Sequence, residues 1–167
     1  MMPAMPAAFT LLPGALKGVR AVVGDTARSF ARHTHDEFGI GLIDRGAQRS
    51  ASGRGPVEAW AGDVITVNPG EVHDGAALTP AGRRWRMLYL DVGVLRAWAD
   101  DMGADGVRLA AEFTQPVLRD ARLAAGFRQA FACVTGPTLP EQAPAQAMAA
   151  HEALLSLLGA RLAFTQR

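Results

Sequence analysis

Between Thr26 and Leu95 the chain never stays apolar for long. Its runs "FGIGLID", "DVITVNP" and "WRMLYLDV" are short and rich in β-branched or aromatic residues. Gly, Pro, Asp and Asn interrupt them at intervals of roughly eight to twelve residues, the rhythm of an all-β sandwich or barrel. This punctuation constrains the fold more than any other feature, because no core helix fits between the breaks. Gly53, Gly55 and Pro56 in "SASGRGPVEA" supply the tip of a hairpin.

The texture changes after about Val94. "RDARLAAGFRQAFACVT" sets Leu123, Phe127, Ala130 and Phe131 on one helical face. "AQAMAAHEALLSLLGARLAF" carries Met148, Leu154, Leu155, Leu158 and Leu162 along a wide apolar stripe, with His151 beside it. That stripe is wider than one small barrel needs, and a second protomer covering it would remove a large exposed patch. Met148, His151, Leu154, Leu155, Leu158 and Leu162 are therefore the candidate dimer interface. The sequence divides into an arm (1–20), a β-barrel (21–95) and a helical dimerisation segment (96–167).

Composition narrows the function. The 167 residues suit one domain with an appendage, and 49% hydrophobic content with 20% charged residues exceeds what a disordered chain carries. A formal net charge of +1 and the lack of a basic cluster beyond Arg83, Arg84 and Arg86 argue against a nucleic-acid binder. The single cysteine, Cys133, forms no internal disulfide and fits a reducing compartment. No apolar run has the ~18 residues of a membrane helix. The proline-broken start, Met1 to Gly18, reads as a flexible arm and not as a signal peptide, so the cytoplasm is the expected location.

Two histidine motifs carry the chemistry. "HTH" places His33 and His35 one residue apart, so both side chains share a face if Thr34 points away. "GDVITVNPGEVHDG" runs a strand into an Asn68-Pro69-Gly70 corner and ends on His73. Gly70 is a candidate for positive φ. Three imidazoles converging inside a barrel suit zinc, nickel, iron or copper. They equally suit hydrogen bonds at the barrel mouth, or direct contact with an organic ligand. Glu37 shares the alternation with the histidines. The same alternation carries Arg45 inward, where a carboxylate or polyol on a ligand, Asp63 or Glu71 would be its partner, while its place beside Gly46 equally suits a solvated arginine at a turn. Trp85, Met87 and Tyr89 alternate along another strand and are candidates for a pocket wall.

These pieces resemble the cupin superfamily and, more closely, the N-terminal effector domain of AraC-type transcription regulators. The matching segments are "ARHTHDEFGIGLIDRG", "AGDVITVNPGEVHDG", "RRWRMLYLDV" and the helical tail, spanning Ala21 to Phe164. The resemblance implies a mainly β chain with C-terminal helices: a cupin-like double-stranded β-helix (jelly-roll) barrel followed by an α-helical dimerisation segment. It implies a small-molecule effector in the barrel, contacted by some of His33, His35, Glu37, Arg45, His73, Met87 and Tyr89. It also implies homodimerisation and DNA binding through a C-terminal helix-turn-helix domain that this sequence does not include, as in a truncated protein or a stand-alone sensor domain. Metal-binding members carry a glutamate a few residues after the histidine pair, where this chain has Gly39 and Ile40. A transition metal (Zn, Ni or Fe) on His33, His35 and His73 is thus one expectation, and a metal-dependent dioxygenase or isomerase is the alternative to a non-enzymatic sensor. The arm's Phe9, Leu11, Leu12 and Leu16 are expected to close over the pocket or to dock on the DNA-binding domain.

Overall fold

The computed structural model describes residues 9–102, 109–159 and 162–166. Its elements are β1 (Phe9–Leu12), β2 (Val19–Thr26), β3 (Phe30–His33), β4 (Glu37–Arg45), β5 (Ala47–Ser52), β6 (Gly55–Trp60), β7 (Val64–Val67), β8 (His73–Ala77), β9 (Arg83–Asp91), α1 (Val92–Met102), β10 (Leu109–Phe113), β11 (Val117–Leu118), α2 (Ala121–Thr135), α3 (Ala143–Gly159) and β12 (Leu162–Gln166). A six-stranded sheet runs β1-β2-β9-β4-β7-β11, and a four-stranded sheet runs β3-β8-β5-β6. The described strand pairs are antiparallel, so each strand alternates its side chains between two environments. The β5–β6 hairpin turns at Gly53 and Arg54, as the glycines require.

The large sheet is buried on both faces. Phe38, Ile40 and Leu42 of β4 and Leu88 and Leu90 of β9 join one cluster with Leu123, Phe127 and Phe131 of α2 and Leu154, Leu157 and Leu158 of α3. Their neighbours on the other face, Ile43, Ile65, Trp85 and Met87, form a much smaller cluster inside the barrel. Double burial explains why β4 and β9 read as near-continuous apolar runs. Asp120 caps α2, its carboxylate accepting from the Arg122 and Leu123 amides, which stabilises the helix by about 1 kcal/mol.

Three boundaries differ from the sequence reading. The arm is partly ordered structure: Phe9–Leu12 pairs with β2 as an edge strand, while residues 1–8 lie outside the described residues. α1 begins at Val92, directly on the end of β9. The C-terminal segment is not purely helical, since β11 completes the large sheet against β7 and β10 pairs with β12. These strands escaped the sequence reading because two to five residues are too few to display a period.

The proposed interface stripe also needs correction. Leu154 and Leu158 are fully buried within their own chain, because α3 packs on α2 and the large sheet. His151 is half-buried, with its ring 4.7 Å from that of Trp98 on α1. Leu155 is half-buried, whereas Met148 is 66% exposed. Leu162 belongs to β12 and not to the helix, and its side chain lies outside the described residues.

Candidate ligand and metal site

The small inner cluster leaves a cavity of about 390 Å³ between the two sheets. Its wall is mostly apolar, with Phe30, Ile65, Val67, Trp85 and Met87, and it includes His33, His35, His73 and Tyr89. Two glycines of β4 make room for the β9 side chains. A Cβ on Gly39 would stand 2.9 Å from Met87 Cε, and one on Gly41 would stand 2.1 Å from Met87 Sδ and 2.5 Å from the Arg86 carbonyl.

The histidines come together across the small sheet. His33 ends β3 directly opposite His73, which opens β8. His35 lies in the link from β3 to β4, not on one continuous strand with Glu37. Its carbonyl accepts from the Gly70 amide at 2.8 Å, so the Pro69-Gly70 corner is tied to the "HTH" loop. Gly70 has φ +73°, the left-handed conformation that favours glycine. The three rings lie 4.4–5.2 Å apart by centroid, and one ligating nitrogen from each falls within 4.8 Å of the others.

Hydrogen bonds settle which nitrogen faces the cavity chemistry. His33 Nδ1 lies 2.7 Å from the Ala31 carbonyl, and His73 Nδ1 lies 3.0 Å from the Glu71 carbonyl. A carbonyl only accepts, so both Nδ1 atoms donate and each neutral ring keeps its lone pair on Nε2. Burial pushes the His35 imidazole below its ordinary pKa, and His73, His33 and Arg20 add to that effect while Glu37 opposes it. Burial likewise lowers His73, although the Glu71 carbonyl bond works the other way. Neutral imidazoles are the metal-binding form, and carbonyl partners on Nδ1 are the usual outer support of metal-bound histidines. The donor set therefore fits a first-row transition ion.

Other predicted site residues divide. Met87 and Tyr89 line the cavity, and the Tyr89 ring lies 5.0 Å from that of His35. Burial raises the Tyr89 phenol, with Arg20 opposing. Glu37 is taken by Arg20, with Nη2 to Oε2 at 2.6 Å, and is not part of the imidazole cluster. Arg45 is not inside. A register shift between Ile43 and Arg45 breaks the alternation, Asp44 pairs with Arg86, and the Arg45 side chain, 51% exposed, bonds Asp25 at 2.7 Å. Neither Asp63 nor Glu71 is its partner: Asp63 accepts from the Trp60 amide, and Glu71 from Asn68.

Several lining residues were not singled out from sequence, among them Phe30, Ile65, Val67 and, most consequentially, Arg83. Arg83 is 1% exposed and begins the same β9 face that carries Trp85, Met87 and Tyr89. Extending their two-residue alternation back one step would have found it.

A cavity between the sheets of an antiparallel jelly roll, backed by helices and furnished with convergent imidazoles, defines a cupin-like small-molecule-binding domain. The chain belongs to the family of AraC-like ligand binding domains, whose model matches residues 18–158. Similarity to solved structures is partial. A structure of Bacillus subtilis oxalate decarboxylase shares 18% identity at a TM-score of 0.41, covering 46% of this chain and 22% of that one. Another, concerned with the Mn(II) centres of the same enzyme, covers 44% and 21% at the same identity and score. A cupin-2 domain protein of Shewanella frigidimarina shares 14% identity at a TM-score of 0.41, covering 45% of this chain and 72% of that one. The chain thus spans about a fifth of the oxalate decarboxylase chains it matches. No curated protein shows significant sequence similarity to it. No helix among the described residues is long and apolar enough to cross a membrane.

Proposed function

We propose that this chain is the effector-sensing and dimerisation part of an AraC-type transcription regulator, acting in the cytoplasm as a binding module and not as an enzyme. The observation that carries this reading is the cavity of about 390 Å³ with an apolar wall and a few converging polar groups, a size and character typical of small-ligand sites. The effector enters between the sheets. Tyr89 and the imidazoles orient it, while Trp85 and Met87 exclude water. DNA binding belongs to a separate helix-turn-helix domain. Control requires that the effector bind one conformation better than another, since equal affinity shifts nothing. β1 is the element suited to that switch. It is an edge strand, and Phe9 packs against Phe30 at 5.2 Å and Trp85 at 5.7 Å while remaining half-exposed. A ligand beneath these rings would give Phe9 the cover it lacks.

His33, His35 and His73 would hold a zinc, nickel or iron ion. Such an ion would supply a Lewis acid at the histidine end of the cavity. The triad also favours a second reading, a metal-dependent cupin enzyme. Against it, Glu37 is committed to Arg20, and Glu71 and Asp74 accept from Asn68 and the Ala51 amide.

Elemental analysis of untagged protein, followed by small-molecule screening by thermal shift, tests both. A folded protein stabilised by organic ligands with or without metal supports the sensor. One transition metal per chain, lost in a His33→Ala/His73→Ala variant together with turnover of a screened substrate, supports the enzyme.

A further inference from the structure

Arg83 opens β9 and lines the cavity, with its guanidinium beside Gly75 of β8. Five residues of β9 lie between it and Tyr89, which sets their Cα atoms about 20 Å apart along an extended strand. Its guanidinium is buried yet has no carboxylate partner among the described residues. Nη1 donates to the Arg28 carbonyl at 2.7 Å and to the Thr26 carbonyl at 3.3 Å, and Nε to Gln48 Oε1 at 3.4 Å. Nη2 donates to nothing described. Gly75 keeps that side open, since even a Cβ there would sit 3.5 Å from Nη2. The cation is held between Trp85, 4.8 Å from the ring centroid, and Phe30, at 5.3 Å. Its orientation is therefore fixed by packing and carbonyl bonds, with two N–H groups left over.

A buried cation satisfied only by neutral acceptors is costly, and an anion brought to it recovers that cost. We propose that Arg83 is the anchor for a carboxylate, so that the effector is a small monocarboxylic acid with an apolar or aromatic body. This rests on reading the cavity as an effector site. Trp85 and Met87, next along β9, would face the apolar body. Glu71 and Asp74 also line the cavity and disfavour a dianion such as phosphate. The two free N–H groups, both on Nη2, suffice for one carboxylate and a charge-assisted bond to it.

The test is calorimetric titration of the full chain with benzoate, cinnamate and hexanoate, each against its own amide. At least one acid should bind about tenfold or more tighter than its amide, the usual value of a charge-assisted pair. Arg83→Gln should bring that ratio to near one. Arg83→Lys should keep part of it, and Arg45→Ala, at an exposed arginine outside the cavity, should keep all of it. The wild-type comparison stands even if Arg83→Gln fails to fold. Acid and amide binding equally well would overturn the anchor and leave the effector site intact. Unchanged acid binding in folded Arg83→Gln would do the same. No saturable binding by any of the six compounds would count against the cavity as a small-molecule site and take the anchor with it.

Discussion

The imidazoles of His35 and His73 protonate below the ordinary histidine value of 6.5, chiefly because burial penalises their charge. In the pH range just under that value the unfolded chain binds more protons than the folded one. Stability of the metal-free protein should therefore fall as pH drops below about 6.5 and level off once the folded-state values are passed. Urea unfolding at about pH 7.5 and about pH 5.5 would show this as a lower midpoint in acid, and the difference should shrink in His35→Gln/His73→Gln. A pH-independent midpoint, or an undiminished shift in the double variant, would contradict the assignment. Arg45 makes the opposite kind of prediction. Because its exposed pair with Asp25 contributes about 0–1 kcal/mol, Arg45→Ala should leave ligand affinity within about twofold, the size of a surface change. The sequence pointed to the histidines because their chemistry is rare and their motifs are local. It misdirected Arg45 because a one-residue bulge at Asp44 inverts every side chain beyond it, and nothing in "GLIDRG" announces the bulge.

At the level of elements, β4 and α3 carry the sharpest expectations. Gly41→Ala would drive a methyl into Met87 and the Arg86 carbonyl, at a cost of about 1–3 kcal/mol in an already packed site. A lowered denaturation midpoint with reduced ligand affinity is expected, and a neutral result would mean that Met87 is free to move aside. Leu154→Ala removes a side chain with no exposed surface and should destabilise the fold by about 2–5 kcal/mol. Loss of association with unchanged stability would instead restore Leu154 to a dimer interface. Deleting residues 1–18 removes β1 and with it Phe9 from the aromatic group, so ligand affinity or response should change. The β character of the first half was legible because turn residues set its period. The destination of the α3 stripe was not, since a stripe records only that a helix face is covered, and here its own α2 and sheet cover it.

For the molecule as a whole, the remaining apolar surface on α3 is modest, with Met148 the main exposed side chain. If α3 forms the dimer contact, Met148→Asp should shift sedimentation equilibrium toward monomer at concentrations on the order of tens of micromolar, with the denaturation midpoint of the monomer unchanged. An unaltered dimer would move the interface elsewhere. The jelly roll and the helical end were legible from texture and motif. The interlocking of the two was not, because it depends on long-range strand pairing such as β11 on β7. The double burial of the large sheet has a consequence for how such a protein changes over time. On β9, residues 83, 85, 87 and 89 face the cavity, while Leu88 and Leu90 face the helices and Arg86 lies over Phe127 and Phe131. One strand thus carries two interleaved alphabets. Substitutions at odd positions respell which ligand is admitted, and those at even positions respell the scaffold, so a new specificity can be acquired without renegotiating the helix-facing cluster.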